Sequence, residues 1–474
     1  MEAGREWDKP VDDSRLVQGF EHLDLGRFPW FYKRYVESLH RVGLPSDLPA
    51  TTAPAVAVLA GVAAVGETEL DLPHLSRVLY LSAGVVRTME LPYTTWLFRA
   101  AGSAGGRFPL EVYVAIPAGM RAPAGVHWYD PHEHALVQVG PPPRGDAPVL
   151  VVTGVPWRTG WKYRERGYRH VYWDAGTMLA QTLAVAESAG ITASLYTRFP
   201  DAATAALVGA DRVHEWPVGV VVLGEGAPAL EATGPAVTGK IDANPLEFPL
   251  VTATQRAGEQ DAFGTAWDKG DPVDVPIEQP YRLETVVLAR GSQRLMDPTR
   301  ALPEQVLLTS MRVALRGIVL PHRVVAHAVE GLAPGLYRWP NLSARARAGD
   351  LRDELYRVCA DQGLASDAAF VVISAADVGA LSDLEYREAQ LAAGLVEGRL
   401  HLLAYALGAS ASGMTFVDSE IRALLGEPLD ALLFTCVGVP EYTNAAAGPP
   451  GAPTPVRRRT PRLSDATMTK PNAD

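Results

Sequence analysis

The chain reads as two copies of one domain, and this repeat constrains its fold more than any other feature. Around Tyr168 the sequence runs Tyr-Arg-His-Val-Tyr-Trp-Asp-Ala-Gly, and around Tyr386 it runs Tyr-Arg-Glu-Ala-Gln-Leu-Ala-Ala-Gly. Each stretch continues as an apolar helix closed by a glycine, Gly190 or Gly408. Each then leads to a strand rich in large apolar residues, 220–223 before Gly224 or 434–437 before Gly438. Upstream, 75–81 matches 306–311 and 125–129 matches 335–339. A repeat of about 200 residues is too long for a solenoid unit. It predicts two whole domains fused as a pseudo-dimer.

A chain of 474 residues has room for two domains with proper cores. Residues 1–50 read as an N-terminal arm, 51–228 as the first repeat and 229–275 as a Pro/Gly-rich linker. Residues 276–462 read as the second repeat and 463–474 as a disordered tail. Continuous apolar runs at 111–116 and 149–152 predict buried strands, with 324–329 and 370–373 as their counterparts. Segments 172–189 and 389–407 predict long helices rich in Ala and Leu, whose small residues permit close helix–helix approach. The expected class is α+β, a mostly antiparallel or mixed central sheet with helices around it.

Composition narrows the function classes. With 47% hydrophobic and 20% charged residues, the chain is an ordinary soluble globular enzyme by composition. No apolar run approaches a membrane span, and the first residues have no apolar core of a signal peptide. Cys359 and Cys436 lack metal spacing, so a reducing cytoplasm is the expected setting. The net charge of −11 argues against nucleic-acid binding and makes local arginine clusters more telling. His132 and His134 sit in a turn-like stretch and read as solvated, so no metal is expected.

Five clusters carry possible chemistry, and plainer readings stand beside them. If 290–294 is extended, Arg290, Ser292 and Arg294 share one side and form a clamp for a phosphate monoester. The plainer reading is a solvated charged turn. The stretch from Arg99 through Gly102, Ser103, Ala104 and Gly105 offers small residues that let backbone approach a flat ligand. Alternatively it is a Gly-rich connection into the strand at 110–116. Lys162 and Tyr163 open a run with Arg164, Arg166, Tyr168 and Arg169, which gives an acid/base site or an interface ion-pair cluster with Glu165. Ser412, Gly413 and Met414 read either as backbone donors for a ring edge or as a helix cap and turn. Arg457, Arg458 and Arg459 form a basic stretch near the C-terminus.

Together these motifs resemble the nitroreductase superfamily, and the first half resembles its SagB-type dehydrogenase branch. The pattern Arg-x-x-Pro-Ser-Ala-Gly-Ala-x-Tyr-Pro is matched by Arg99 to Pro109, with Gly102, Gly106 and Phe108 replacing the proline, an alanine and the tyrosine. The pattern Lys-Tyr-x-x-Arg-x-Tyr-Arg is matched by Lys162, Tyr163, Arg166, Tyr168 and Arg169, followed by Asp174-Ala175-Gly176. The resemblance implies FMN held at a subunit interface. One side would supply Arg290, Ser292, Arg294, Arg457 and Arg459 for the phosphate, and the other the loop Gly102 to Gly105 under the ring. Arg99 and residues 412–414 complete the implied set, with Lys162 and Tyr163 as acid/base residues.

Laid over one another, the halves keep different parts. Arg290, Ser292 and Arg294 fall opposite Ala60, Val62 and Ala64, while Ser103 and Gly105 fall opposite Leu315 and Gly317. The expectation is one composite FMN site per chain and a vestigial second position. By resemblance the enzyme oxidises a small molecule or modified peptide, for example an azoline to an azole, alongside biosynthetic partner enzymes. The alternatives are an NAD(P)H-dependent nitro or quinone reductase, or a non-catalytic flavin-fold scaffold.

Overall fold

Two antiparallel sheets carry the duplication in the computed structural model, which describes residues 25–92, 94–276 and 281–457. The first half supplies β1 (Arg41–Gly43), β2 (Val85–Leu91), β3 (Thr94–Arg99), β4 (Leu110–Ile116), β5 (Gly125–Asp130), β6 (Ala135–Gly140), β7 (Val149–Gly154), β8 (Ala193–Tyr196) and β9 (Trp216–Leu223). The second supplies β10 (His322–Ala326), β11 (Gly335–Arg338), β12 (Asn341–Ala348), β13 (Phe370–Ala376), β14 (Ser410–Met414), β15 (Asp430–Gly438) and β16 (Thr454–Pro455). The first sheet runs β1-β6-β5-β4-β7-β9-β8 and the second β12-β11-β10-β13-β15-β14. Apart from β1, the orders are the same, strand for strand. β4, β7, β9 and β13 are buried along their whole length. Burial of both faces explains why they read as continuous apolar runs without alternation.

The helices used below are α1 (Ala55–Ala60), α2 (Leu72–Ala83), α3 (Pro156–Tyr163), α4 (Gly167–Ser188), α5 (Pro249–Ala257), α6 (Leu283–Ala289), α7 (Glu304–Ala314) and α8 (Asp383–Ala406). Helices α4 and α8 are the counterparts that join the halves. A Cβ on Gly176 would fall 2.2 Å from the Leu391 carbonyl oxygen, and one on Gly394 2.3 Å from that of Trp173. Glycine is therefore required at both positions for the helices to approach this closely. Tyr168 and Tyr386 stack across the join, with ring centroids 6.2 Å apart. The next residues exchange partners. Arg169 donates to Asp418 of the second half at 2.8 Å, and Arg387 donates to Asp201 of the first half at 3.1 Å.

The C-terminal arm returns to the first half, where β16 pairs in parallel with β2. Arg87 Nε donates to the Ala445 carbonyl at 2.7 Å, and Tyr80 donates to that of Gly448. Two segments differ from their sequence reading. The stretch read as a linker contains α5 and packs on the body, with Val251, Thr252 and Gln255 buried and Tyr172 donating to Gln255. Its Pro and Gly signals mark irregular backbone, which here is packed backbone. Residues 410–414, read either as backbone donors for a ring edge or as a helix cap and turn, form the edge strand β14 paired with β15. Arg459 and the predicted tail lie outside the described residues. No described helix is long and apolar enough to cross a membrane.

Candidate functional site

Helix α6 ends at Ala289, and Arg290 follows in extended backbone, with its guanidinium turned into the join between the halves. Arg290 Nη2 donates to the Ala100 carbonyl at 2.6 Å, and Nη1 lies 3.2 Å from His401 Nδ1. Its Nε is buried without a hydrogen-bond partner. Burial brings this guanidinium down to about 10. Ser292 and Arg294 are exposed, so the three residues of the expected clamp do not share one environment. The Gln293 backbone N–H donates to the Ala411 carbonyl at 3.1 Å, which seats this segment along the free edge of β14.

The connection from β3 to β4 passes Arg290. A Cβ on Gly102 would lie 3.4 Å from Arg290 Nη1. Three residues on, Gly105 and Gly106 take positive φ of 59° and 63°, and a Cβ on Gly105 would lie 2.6 Å from the Tyr163 hydroxyl and 3.2 Å from Lys162 Nζ. At Gly105 the positive φ and the neighbouring Tyr163 hydroxyl disfavour a side chain, whereas a Cβ on Gly102 would make only ordinary contact. Lys162 and Tyr163 close α3, and Tyr163 stacks on His170 with centroids 4.0 Å apart. The loop thus meets the second half's arginine at one end and the first half's lysine and tyrosine at the other.

The remaining sequence-predicted residues divide. Arg99 is buried and donates to the carbonyls of Leu110 and Phe31 at 2.7 and 2.8 Å, so it ties the loop to the N-terminal arm. Arg166 and Arg169 both pair with Asp418 across the join, where the sequence offered Glu165 as their partner. Ser412 and Met414 are buried in β14, and the Gly413 N–H donates to Glu397. Arg457 is exposed beyond β16.

Three polar residues here were not singled out as site residues from the sequence: Asp174 and His401, which are buried, and Glu397, which is largely buried. Asp174 on α4 accepts from the Ser103 hydroxyl at 2.5 Å and the Ala104 N–H at 2.9 Å. Burial pushes its carboxyl up to about 8 against both donors. Glu397 on α8 accepts from Thr177 at 3.2 Å and is pushed up by burial to about 7. His401, one turn on, is brought down by burial to about 3 and stays neutral. The signal was available: Asp174 interrupts one apolar helix, and Glu397 with His401 interrupts the other at a spacing that shares a face.

At the second pseudo-symmetric position the same space is filled. Arg316 Nε donates to the Lys269 carbonyl at 2.7 Å and Nη1 reaches that of Leu59 at 3.4 Å. A Cβ on Gly61 would fall 1.9 Å from Arg316 Nη1. Val273 donates its N–H to the Ala60 carbonyl at 2.9 Å, and Lys269 pairs with Glu187 at 2.6 Å. Val62 is exposed and uncharged. A cavity of about 540 Å³ opens beside this region, between Arg312, Ile318, Val319, Trp339 and Pro272, apart from Arg290 and Lys162.

The two positions differ in charge: the first carries Arg290 and Arg294 where the second carries Ala60 and Ala64. Arg290 keeps a buried unpartnered N–H, and Arg294 and Arg457 form no ion pair with a described carboxylate. The void between Ser82, Gly102, Ser103, Asp174 and Met178 is about 10 Å³, space for a single water.

No protein-family model matches the chain. A candidate nitroreductase of Methanocaldococcus jannaschii is 26% identical over 137 residues, which cover 26% of this chain and 66%, just under two thirds, of the archaeal protein. The crystal structure of a candidate nitroreductase from Anabaena variabilis superposes with a TM-score of 0.71 at 21% identity, covering 93% of this chain and 99% of that one. One from Ralstonia eutropha covers 44% of this chain at a TM-score of 0.30 and 21% identity. The Anabaena superposition spans both halves, so the chain has an α+β nitroreductase-like fold in tandem.

Proposed function

We propose that the chain is an FMN-dependent oxidoreductase with one composite site, formed by the second half's Arg290 and the first half's loop 102–106. The carrying observation is that this loop lies between Arg290 and the pair Lys162–Tyr163. FMN, when bound, supplies two-electron hydride chemistry. Arg290, Ser292, Arg294 and Arg457 would hold its phosphate, with Arg459 from the C-terminal stretch. Arginine suits this task because its fork makes paired, charge-assisted hydrogen bonds. Gly102, Ser103, Ala104 and Gly105 would lie along the ring, with Arg99 holding the loop and residues 412–414 backing it.

The leading reading is a reductase that takes electrons from NAD(P)H and passes them to a nitro or quinone acceptor. The similarity to nitroreductases from two organisms supports it. Lys162 and Tyr163 at the loop favour a second reading, oxidation of a modified peptide or natural-product intermediate such as an azoline. In that reading Lys162 Nζ or the Tyr163 hydroxyl takes the proton released as the substrate is oxidised. The test is the absorption spectrum of the purified chain, with bound flavin counted and then challenged anaerobically with NADPH. Rapid bleaching supports the reductase. Stable yellow colour that bleaches only with a reduced heterocycle supports the dehydrogenase. A colourless chain that takes up no FMN overturns both.

A further inference from the structure

In the loop that separates Arg290 from Lys162, one carboxyl grips Ser103 and Ala104. Asp174 lies on α4, buried to 4% exposure, and its two oxygens serve different atoms of the loop. Oδ1 accepts the Ala104 N–H at 2.9 Å and Oδ2 accepts the Ser103 hydroxyl at 2.5 Å. Ser103 Oγ in turn accepts the Phe108 N–H at 2.7 Å. The two ends of the turn are therefore tied through one hydroxyl to one carboxyl. Between them Gly105 and Gly106 reverse the chain with positive φ. No described cation pairs with Asp174. Its surroundings are Ser103, Ala104 and, farther off, Glu397. A carboxyl buried without a cation costs stability unless its hydrogen bonds are needed.

We infer that Asp174 is the positioning residue of this site: by gripping Ser103 and Ala104 it fixes loop 102–108 between Arg290 and Lys162, in the one shape that presents its backbone to a flat ligand. This rests on the flavin reading for the ligand, while the grip itself does not. An Asn at 174 keeps an acceptor for Ala104 and can donate to Ser103 Oγ. An Ala keeps neither. Ser103 and Asp174 are a coupled pair, because each loses its partner when the other is removed.

The test uses the full chain as wild type, Asp174→Ala, Asp174→Asn, Ser103→Ala and the Asp174→Ala/Ser103→Ala double variant. Hydrogen exchange at the Ala104 and Phe108 amides reads the grip without ligand. FMN affinity, by fluorescence quenching, reads its use. Loss of protection at both amides in Asp174→Ala, with recovery in Asp174→Asn, is expected. FMN affinity should fall about tenfold or more in Asp174→Ala and Ser103→Ala, and the double variant should be no weaker than the worse single. Unchanged protection in Asp174→Ala, or additive single effects, overturns the inference. A wild type that takes up no FMN yet shows the exchange pattern overturns the flavin reading and the loop's use for that ligand, and leaves the grip standing.

Discussion

Arg290 donates to the carbonyl oxygen of Ala100 at 2.6 Å, and the bond joins the two halves of the chain beside the candidate site. The same guanidinium sits 3.2 Å from His401 Nδ1, which the low pKa of that ring leaves as an acceptor. Removing the guanidinium strands two buried acceptors. Arg290→Ala should therefore cost about 2–3 kcal/mol of stability, the scale of a buried charge-assisted hydrogen bond. Lysine, without the fork, should not restore it. Urea denaturation of both variants checks this. FMN titration of Arg290→Ala/Arg294→Ala should show binding lost, and wild-type affinity there would remove the clamp from the site.

The helix pair α4–α8 gives a sharper mechanical test. A methyl on Gly176 meets the Leu391 carbonyl at 2.2 Å, and one on Gly394 meets that of Trp173 at 2.3 Å. Neither backbone can yield without moving a helix. Gly176→Ala and Gly394→Ala should each destabilise by about 1–3 kcal/mol. The double variant should fall short of the sum, because one displacement of the helices relieves both contacts. Thermal melts of the three variants measure it.

The repeat made the paired sheets and the close helices legible before any coordinates, because strand and helix patterns recur at matched positions. The meeting of Arg290 with the loop at 102 followed from comparing what each half kept. Period-two reasoning fits Ser292 and Arg294, which are both exposed about the buried Gln293, and did not foresee that tertiary contacts bury Arg290. Ser103 and Asp174 each fell within a motif, but their pairing was not legible because the two are far apart in sequence and only the fold brings them together. The filling of the second position by Arg316 and residues 269–273 was missed for another reason. A Pro/Gly-rich stretch gives no sign of what it packs against.

Buried titrating groups set a stability optimum. His127, His134, His322 and His327 are brought down by burial to about 4, and His170 and His401 to about 3. Below about pH 6.5 the unfolded chain binds more protons at these rings, so stability rises with pH there. Asp201, Glu397 and Asp174 are pushed up by burial to about 6, 7 and 8. Above about pH 4 the folded chain binds more protons at these carboxyls, so stability falls as pH rises, until the last of them ionises. The histidines dominate the acid side, and Glu397 and Asp174 the alkaline side. The melting temperature should peak between about pH 6.5 and 7. Asp174→Asn should flatten the decline toward pH 8. A melting temperature that climbs steadily from pH 5 to pH 9 would contradict the assignment.

Lys162 lies against Gly105 of the loop, whereas Gly317, which falls opposite Gly105 in the second half, is packed by the backbone of residues 268–270. Lys162→Ala should keep bound flavin while turnover by a proton-coupled route falls by about 10²–10⁴, the usual contribution of a positioned acid or base. Turnover by simple hydride relay from NADPH to a quinone should change little. The two assays on one variant therefore separate the two readings of the site. Flavin should count to one per chain throughout. Arg316→Ala opens space at the second position yet leaves Ala60, Val62 and Ala64 there, with no charge to meet a phosphate of about −2. Its stoichiometry should stay at one, and a value near two by absorbance would mean that both positions are competent.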